Sequence, residues 1–174
     1  FLVGIEWVSM LTIAIPVYAF LLLPALSVLR GETDDFLLRA SKIQWGLMLT
    51  VFCISHAPAL LMLEFPDYDS AFLLFYLVTV VQLSDVLQYV FGKLYGKRKI
   101  APAVSPSKTV EGFVGGGLAA TAVGALLWWI TPFGFFGAAA LAFVIVVTGF
   151  LGGLVLSAVK RSLGAKDWGT MIQG

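Results

Sequence analysis

The chain has 174 residues, of which 60% are hydrophobic and only 12% are charged. Soluble domains carry roughly 25% charged residues, so this composition excludes a water-soluble globule and indicates an integral membrane protein. The net charge of +1 offers no nucleic-acid-binding surface, and one cysteine with one histidine excludes a disulfide framework and a multi-cysteine or histidine-rich metal site.

Apolar stretches long enough to cross a membrane occur along the whole chain. A membrane-crossing helix needs about 20 apolar residues. We therefore predict an all-α fold, a polytopic bundle of about five transmembrane helices. Pro16 and Pro24 predict a kink or an early end in the first of them, and the short Thr131–Phe133 connection predicts a tight hairpin between the last two. The predicted spans are roughly 3–29, 43–64, 71–91, 110–131 and 133–158.

The basic residues are confined to alternate connections. All of them follow the first, the third or the fifth predicted span, and none follows the second or the fourth. Because basic connections stay in the cytoplasm, this pattern predicts an N-terminus outside and a C-terminus in the cytoplasm. The basic residues are Arg30, Arg39, Lys42, Lys93, Lys97, Arg98, Lys99, Lys108, Lys160, Arg161 and Lys166.

One carboxylate, Asp85, lies within the third predicted span. Ionisable groups inside a membrane are costly and usually face a protein interior or a wet cavity, where they are functional. Gln82, Asp85 and Tyr89 recur at helical spacing and form one polar stripe. The stripe predicts a functional group that faces a cavity, and its alternative is a packing face whose polar groups bond to each other.

The connection before the fourth span combines cations, hydroxyls and the start of a helix. Ser105, Lys108 and Thr109 immediately precede that span, and a helix N-terminus with free N–H groups beside a lysine predicts a phosphate site. The alternative is a basic anchor for anionic lipid headgroups. Glu111 is interpreted equally as a partner of the helix dipole and as a group that holds a metal ion or orients Lys108.

Four glycines, the single cysteine and the single histidine are predicted to have structural roles. Gly112 with Gly116, and Gly149 with Gly153, have the spacing of close helix–helix packing. Cys53 and His56 are isolated in the second span, which favours core packing for both.

The C-terminal tail brings three cations and one carboxylate to the end of the fifth span. Alone, Lys160, Arg161, Lys166 and Asp167 are typical of a basic cytoplasmic tail. Together with the connection before the fourth span, they predict a cytoplasmic site with the cations and carboxylates that a nucleoside triphosphate and Mg²⁺ require.

Two segments resemble the signatures of the phosphatidate cytidylyltransferases, also called CDP-diacylglycerol synthases. The tail resembles S-x-x-K-R-x-x-x-x-K-D-x-G-x-x-[LIF]-P, with matches at Ser157, Lys160, Arg161, Lys166, Asp167, Gly169 and Ile172. The earlier segment resembles S-D…Y…G-K…G-K-x-K…P…S-P-x-K-T-x-E-G, with matches at Ser84, Asp85, Tyr89, Gly92, Lys93, Gly96, Lys97, Lys99, Pro102, Ser105, Pro106, Lys108, Thr109, Glu111 and Gly112.

The tail also departs from the family signature. Gln173 stands where the family usually has proline. The family's His-Gly-Gly and Asp-Arg-x-Asp segment would begin just after Gly174, so we expect either that the protein is truncated or that these 174 residues are one part of a longer enzyme.

The resemblance implies a fold division and a reaction. It implies one integral-membrane domain over 1–174, in which 1–70 contributes N-terminal spans without a motif and 82–174 is the catalytic part. The reaction would condense CTP with phosphatidate, giving CDP-diacylglycerol and pyrophosphate, with Mg²⁺ as cofactor and no nucleic-acid partner. The enzyme would lie in the bacterial inner membrane with its active site facing the cytoplasm, and the resemblance allows a homodimer.

The resemblance also implies a role for individual residues. The catalytic residues would be Lys160, Arg161, Lys166 and Asp167. The substrate contacts would be Lys93, Lys97, Ser105, Lys108, Thr109 and Glu111. The Mg²⁺ ligands would be Asp167 and Asp85.

Two other functions are compatible with parts of the sequence. A CTP-dependent kinase of a lipid alcohol such as a polyprenol or phytol would share the topology and the nucleotide, but it would need a general base. A membrane transporter would use Asp85 and His56 as gating groups, but it predicts polar residues along a path across the whole bilayer.

Overall fold

The computed structural model describes residues 13–31 and 34–164. The chain divides into two compact units, Phe1–Glu64 and Phe65–Gly174. Each is considered by itself below.

Two helices form the described part of the first unit. Helix α1 spans Phe20–Leu29 and follows a wide π-helical turn over Ala14–Ala19. Helix α2 spans Phe36–Met62 and contains a second π-helical segment, Met48–Cys53.

Pro24 lies inside α1 without ending it. A proline has no N–H, so the carbonyl four residues earlier, that of Phe20, loses its helical donor. The side-chain amide of Gln44 in α2 donates to that carbonyl at 2.7 Å. The hydrogen bond explains how the helix continues to Leu29, since a neighbouring side chain satisfies the freed carbonyl.

The expected core packing of Cys53 and His56 is wrong, because both side chains are exposed. The His56 ring lies against Phe52 of the preceding turn, with ring centroids 4.4 Å apart, and its Nδ1 is 2.7 Å from the Phe52 carbonyl oxygen. Both contacts are local to α2.

The described part of the second unit, 65–164, contains three helices and a short hairpin. Its elements in chain order are helix α3 (Ala71–Tyr95), strand β1 (Lys99–Ala101), strand β2 (Ser105–Thr109), helix α4 (Val110–Leu126), a 3₁₀ turn (Trp128–Ile130) and helix α5 (Phe135–Ser162). The core of this unit lies where the three helices meet and consists of Tyr76, Val80, Ala120, Ile130, Ala142, Ile145 and Val146.

Tyr76 places a hydroxyl in this apolar core. The side chain is 1% exposed, and a buried hydroxyl normally requires a partner. Its oxygen donates to the Ala138 carbonyl of α5 at 2.7 Å and lies 3.2 Å from the Gly124 carbonyl of α4. Tyr76 therefore connects α3 to both other helices.

Glycines allow α3 and α4 to pack in close contact, as the Gly112–Gly116 spacing predicts. A Cβ atom at Gly112 would lie 2.7 Å from the Gln88 carbonyl oxygen and 2.8 Å from the Gly92 Cα. A Cβ atom at Gly116 would overlap the backbone of Gln88. Only residues without a side chain permit this approach of the two backbones.

The second predicted glycine pair does not pack against another helix within the part of the chain that the structure describes. No atom of the described residues comes within 4 Å of a Cβ built at Gly149. At Gly153 the nearest atom is the ammonium nitrogen of Lys108. The helix-packing interpretation of this pair is therefore wrong.

The all-α membrane fold is confirmed, with differences in the bounds of its helices. Three helices are long and apolar enough to cross a membrane, Phe36–Met62, Ala71–Tyr95 and Phe135–Ser162, whereas Phe20–Leu29 and Val110–Leu126 are shorter apolar helices. Helix α4 ends five residues before the predicted 131, although the chain stays apolar through Trp128–Ile130. The orientation across the membrane stays a prediction.

The hairpin is the element that the sequence did not predict. Strands β1 and β2 pair antiparallel, with Lys99 opposite Thr109 and Ala101 opposite Ser105. Its residues are mainly Lys, Pro, Ser and Ala, which have low strand propensity. The hairpin therefore depends on contacts with the rest of the unit.

Candidate active site

A cavity of about 140 Å³ opens where β2 meets the helices of the second unit. Its wall has polar groups on α3 and β2 and aromatic rings on α4 and α5. This combination of an apolar lining with a few convergent polar groups is typical of ligand sites. The lining residues are Asp85, Gln88, Tyr89, Ser107, Lys108, Thr109, Phe113 and Phe150.

Helix α3 supplies one polar wall. Asp85, Gln88 and Tyr89 lie three and four residues apart and therefore share a helix face. The Gln88 amide donates to the hydroxyl of Ser84 at 2.7 Å, and Ser84 is itself buried. The predicted stripe thus brings Asp85 and Tyr89 to a cavity, and Gln88 joins them.

Lys108 of β2 extends its ammonium group toward α5 and gives the cavity a cation. Its ammonium donates to the Phe150 carbonyl oxygen at 3.3 Å and lies 4.5 Å from the centroid of the Phe150 ring. Burial lowers the pKa of Lys108, and the nearby charge of Asp85 opposes that shift. A partly desolvated cation attracts an anion more strongly than an exposed one does.

Two backbone N–H groups at the start of α4 are hydrogen-bonded within the protein. Thr109 is the N-terminal cap, and its hydroxyl oxygen accepts from the Gly112 N–H at 3.1 Å. The Val110 N–H donates to the Arg98 carbonyl at 2.9 Å. These two N–H groups are not free for a phosphate, so the cation of Lys108 is the main feature on this side of the cavity that can attract an anion.

Glu111 holds the turn between α3 and β1. Its carboxylate accepts the Lys97 N–H at 2.9 Å and the Arg98 N–H at 3.1 Å. These charge-assisted hydrogen bonds to backbone N–H groups satisfy the carboxylate without a neighbouring cation. Neither of the two interpretations of Glu111 from the sequence included this contact.

We expect Glu111→Ala to loosen the segment that precedes β1, because it removes the acceptor of both backbone N–H groups. Trypsin should then cut after Lys97, Arg98 or Lys99 at least about threefold faster, since proteolysis requires local opening. The matched control is Glu64→Ala, an exposed carboxylate of the first unit. Equal cleavage rates in the two variants would show that the carboxylate does not hold this segment.

The other predicted site residues lie at several places. Ser105 is buried, with its hydroxyl oxygen 3.5 Å from that of Ser107 on the cavity wall. Lys93 and Lys97 are exposed. Lys160 and Arg161 lie in the last turn of α5. None of these five is among the residues that line the cavity. Lys166 and Asp167 lie outside the described residues.

The described residues can contribute to a Mg²⁺ site but do not form one alone. Within 13–31 and 34–164, no three His, Cys, Asp or Glu side chains cluster as a metal site. Mg²⁺ is usually held by one or two carboxylates together with substrate phosphates. Asp85, a carboxylate on the cavity wall beside the cation of Lys108, fits that requirement.

The whole chain, residues 1–174, matches the model of the family described as "Cytidylyltransferase family". The chain belongs to this family. The cavity described above lies within 82–174, the part that carries the motifs.

Individual relatives extend this comparison. This chain is 38% identical to uncharacterized protein YnbB of Escherichia coli (strain K12) over an alignment of 178 positions, which covers 99% of this chain and 59% of the relative. It is 37% identical to a phosphatidate cytidylyltransferase of Staphylococcus haemolyticus over 61% of this chain and 42% of the relative. It is 44% identical to a phosphatidate cytidylyltransferase of Mycobacterium leprae over 61% of this chain and 34% of the relative.

This chain spans less than two thirds of the length of each of these relatives. No solved structure matches the chain.

Proposed function

We propose that this integral membrane cytidylyltransferase condenses CTP with phosphatidate to form CDP-diacylglycerol and pyrophosphate. The observation that carries the proposal is the cavity in which Asp85 of α3 and Lys108 of β2 face the same space. The names of the relatives from Staphylococcus haemolyticus and Mycobacterium leprae support the choice of substrates.

The reaction makes one bond and breaks one. A phosphate oxygen of phosphatidate attacks the α-phosphorus of CTP, and the bond from that phosphorus to the bridging oxygen of the β-phosphate breaks. Pyrophosphate leaves with the electron pair of that bond. The attacking oxygen is already anionic, so no general base is required, and the chief barrier is the approach of two polyanions.

The residues of the cavity suit that barrier. The ammonium of Lys108 would attract a phosphate and hold it near the cavity, which converts a collision of like charges into an oriented contact. The hydroxyls of Ser107 and Thr109 lie on the same wall and would donate hydrogen bonds to phosphate oxygens. Lys93, Lys97, Ser105, Lys160, Arg161 and Lys166 stay proposed contacts or supporting groups beyond this wall.

Mg²⁺ is part of the proposal. Asp85 would hold it on the cavity wall, and Asp167 is the second proposed ligand. When bound, the ion would neutralise charge on the triphosphate and on the departing pyrophosphate.

The proposed location of the site is the cytoplasmic face of the bacterial inner membrane. The alternation of the basic connections supports this orientation. The lipid would enter sideways from the bilayer and leave its headgroup at the interface. A homodimer is compatible with the proposal.

We expect the purified full-length protein to move the α-phosphate of CTP, and not the γ-phosphate, into lipid. With phosphatidate and Mg²⁺, CTP labelled at the α-phosphate should give labelled CDP-diacylglycerol. CTP labelled at the γ-phosphate should give labelled pyrophosphate only. Removal of Mg²⁺ by chelation should abolish both products.

The same pair of labels separates the proposed reaction from its alternative. Transfer of the γ-label to a polyprenol or phytol would assign the protein to the lipid-alcohol kinases and overturn the proposal. Absence of any CTP-dependent product with phosphatidate would overturn it as well.

A further inference from the structure

We propose that Gly153 is a positioning residue, whose missing side chain leaves the space that the ammonium of Lys108 occupies. This space, bounded by Phe150 and Gly153 of α5, is called the Lys108 niche below. The niche itself does not depend on the reaction, whereas its effect on turnover rests on the proposed function.

The Lys108 niche is defined by three contacts of one nitrogen atom. The Lys108 Nζ lies 3.3 Å from the Phe150 carbonyl oxygen and 4.5 Å from the centroid of the Phe150 ring. A Cβ atom built at Gly153 would lie 2.6 Å from the same nitrogen. That separation is below any van der Waals contact, so the ammonium cannot stay in the niche if residue 153 has a side chain.

The other wall of the niche is rigid. Phe150 is 5% exposed, and its ring packs on Phe113 with centroids 4.3 Å apart. The aromatic face attracts a cation, and the carbonyl accepts its hydrogen bond. The ammonium is therefore held on two sides by Phe150, and Gly153 is the side that has to stay empty.

The conformation of α5 does not require glycine at residue 153. Gly153 lies in the interior of α5, where glycine is less favourable than alanine. It makes no close contact with another helix among the described residues. At Gly149 and Gly152, which are exposed on the same helix, no described atom beyond the local helix backbone lies within 4 Å of a built Cβ. Gly153 is half-buried, and Lys108 is the neighbour that its built Cβ would meet.

A side chain at residue 153 would change the position of the ammonium at little cost to the fold. The atom that must move is the end of a flexible lysine side chain, and the next atom, Lys108 Cε, is 3.8 Å away. The ammonium would leave the Phe150 carbonyl and move toward the open cavity. The other titratable groups on that cavity are Asp85 and Tyr89 of α3.

The test compares Gly153→Ala with Gly149→Ala and Gly152→Ala in the full-length protein. The first readout is the pH profile of Lys108 modification by an amine reagent, followed by peptide mass spectrometry. In Gly153→Ala the midpoint of this profile should move away from the wild-type value, because the ammonium loses the Phe150 carbonyl and ring and its hydration changes. The two control variants should keep the wild-type midpoint, and all three should keep the wild-type thermal stability or gain slightly.

The second readout is the rate of CDP-diacylglycerol synthesis. Turnover should fall at least about tenfold in Gly153→Ala, because the contact between the Lys108 ammonium and a substrate phosphate is misplaced. Turnover should stay unchanged in the controls. In the Lys108→Met background, Gly153→Ala should cause no further loss, because both changes act on the same ammonium.

The two proposals fail separately. A Lys108 modification profile that is the same in Gly153→Ala as in wild type overturns the niche, whatever the activity. A further loss of turnover in the double variant also overturns it, because it shows a role for Gly153 apart from Lys108. If the profile shifts as expected but the wild-type protein makes no CDP-diacylglycerol, the niche stands and the proposed function fails.

Discussion

Lys108→Met is expected to lower turnover by about 100-fold or more while the protein stays folded. The substitution removes the cation that faces the cavity and keeps a side chain of similar length. Removing a group that stabilises charge in the transition state costs about 10²–10³ in rate. The fold should tolerate the change because methionine fills apolar space well and because the Phe150 ring accepts an apolar neighbour. Synthesis of CDP-diacylglycerol and thermal unfolding would be measured on the same preparation.

The control for Lys108→Met is Lys42→Met, which removes an exposed lysine of α2. This variant should keep wild-type turnover, since it removes the same charge from a residue outside both matched signatures. Wild-type turnover in Lys108→Met at saturating CTP and Mg²⁺ would remove Lys108 from the reaction.

The pH dependence of Lys108 provides a second check on the same residue. Its lowered pKa means that the ammonium loses its proton at a lower pH than an ordinary lysine does. The charge is fully present below that pKa and is lost as the pH rises through it. The alkaline fall of kcat/KM should therefore begin below the usual lysine range, and Lys108→Arg should lack this fall because arginine stays charged. The same alkaline fall in Lys108→Arg would assign it to another group.

Gly116→Ala is expected to separate α3 from α4 and to lower stability and activity together. Its new Cβ would overlap the Gln88 backbone, and a backbone cannot move aside as a side-chain end can. Overpacking of this kind costs typically 1–3 kcal/mol, which corresponds to a melting temperature lower by roughly 5–15 °C for a unit of this size. Activity should fall too, because Asp85 and Gln88 lie on the helix that is displaced. Thermal unfolding in detergent and the CTP assay would measure the two effects.

The control for Gly116→Ala is Gly149→Ala, where the added methyl group meets no described atom within 4 Å. That change should leave the melting temperature unchanged or slightly higher, since alanine favours a helix over glycine. Equal melting temperatures for Gly116→Ala and the wild-type protein would show that the two backbones are not in contact at this point.

The sequence predicted the helices well because long apolar runs and membrane-crossing helices have the same length. The predicted ends of the helices were less accurate where an apolar segment is not helical. Trp128–Ile130 is apolar enough to continue a span, yet α4 ends before it. The hairpin was missed because its strands contain residues of low strand propensity, and it forms through long-range contacts such as those of Glu111.

The sequence predicted the polar part of the candidate site and missed its apolar part. Asp85, Lys108 and Thr109 stand out because they are polar in a mainly apolar chain, and all three line the cavity. Phe113 and Phe150 carry no such signal among 14 phenylalanines. Gly153 was assigned to helix packing because a four-residue glycine spacing does not show which neighbour approaches. Only the three-dimensional contact with Lys108 distinguishes it from Gly149.

The contact between Lys108 and Phe150 has a consequence for the biogenesis of the protein. The two residues are 42 positions apart, and ribosomes add about 5–20 residues per second. Lys108 is therefore synthesised roughly 2–8 seconds before the carbonyl and the ring that hold its ammonium. During that interval α3 and α4 can already be in the bilayer with the hairpin at its surface, while the ammonium stays hydrated at the interface. Lys108 reaches its contacts with Phe150 only after α5 has entered the membrane, so α5 completes this part of the site.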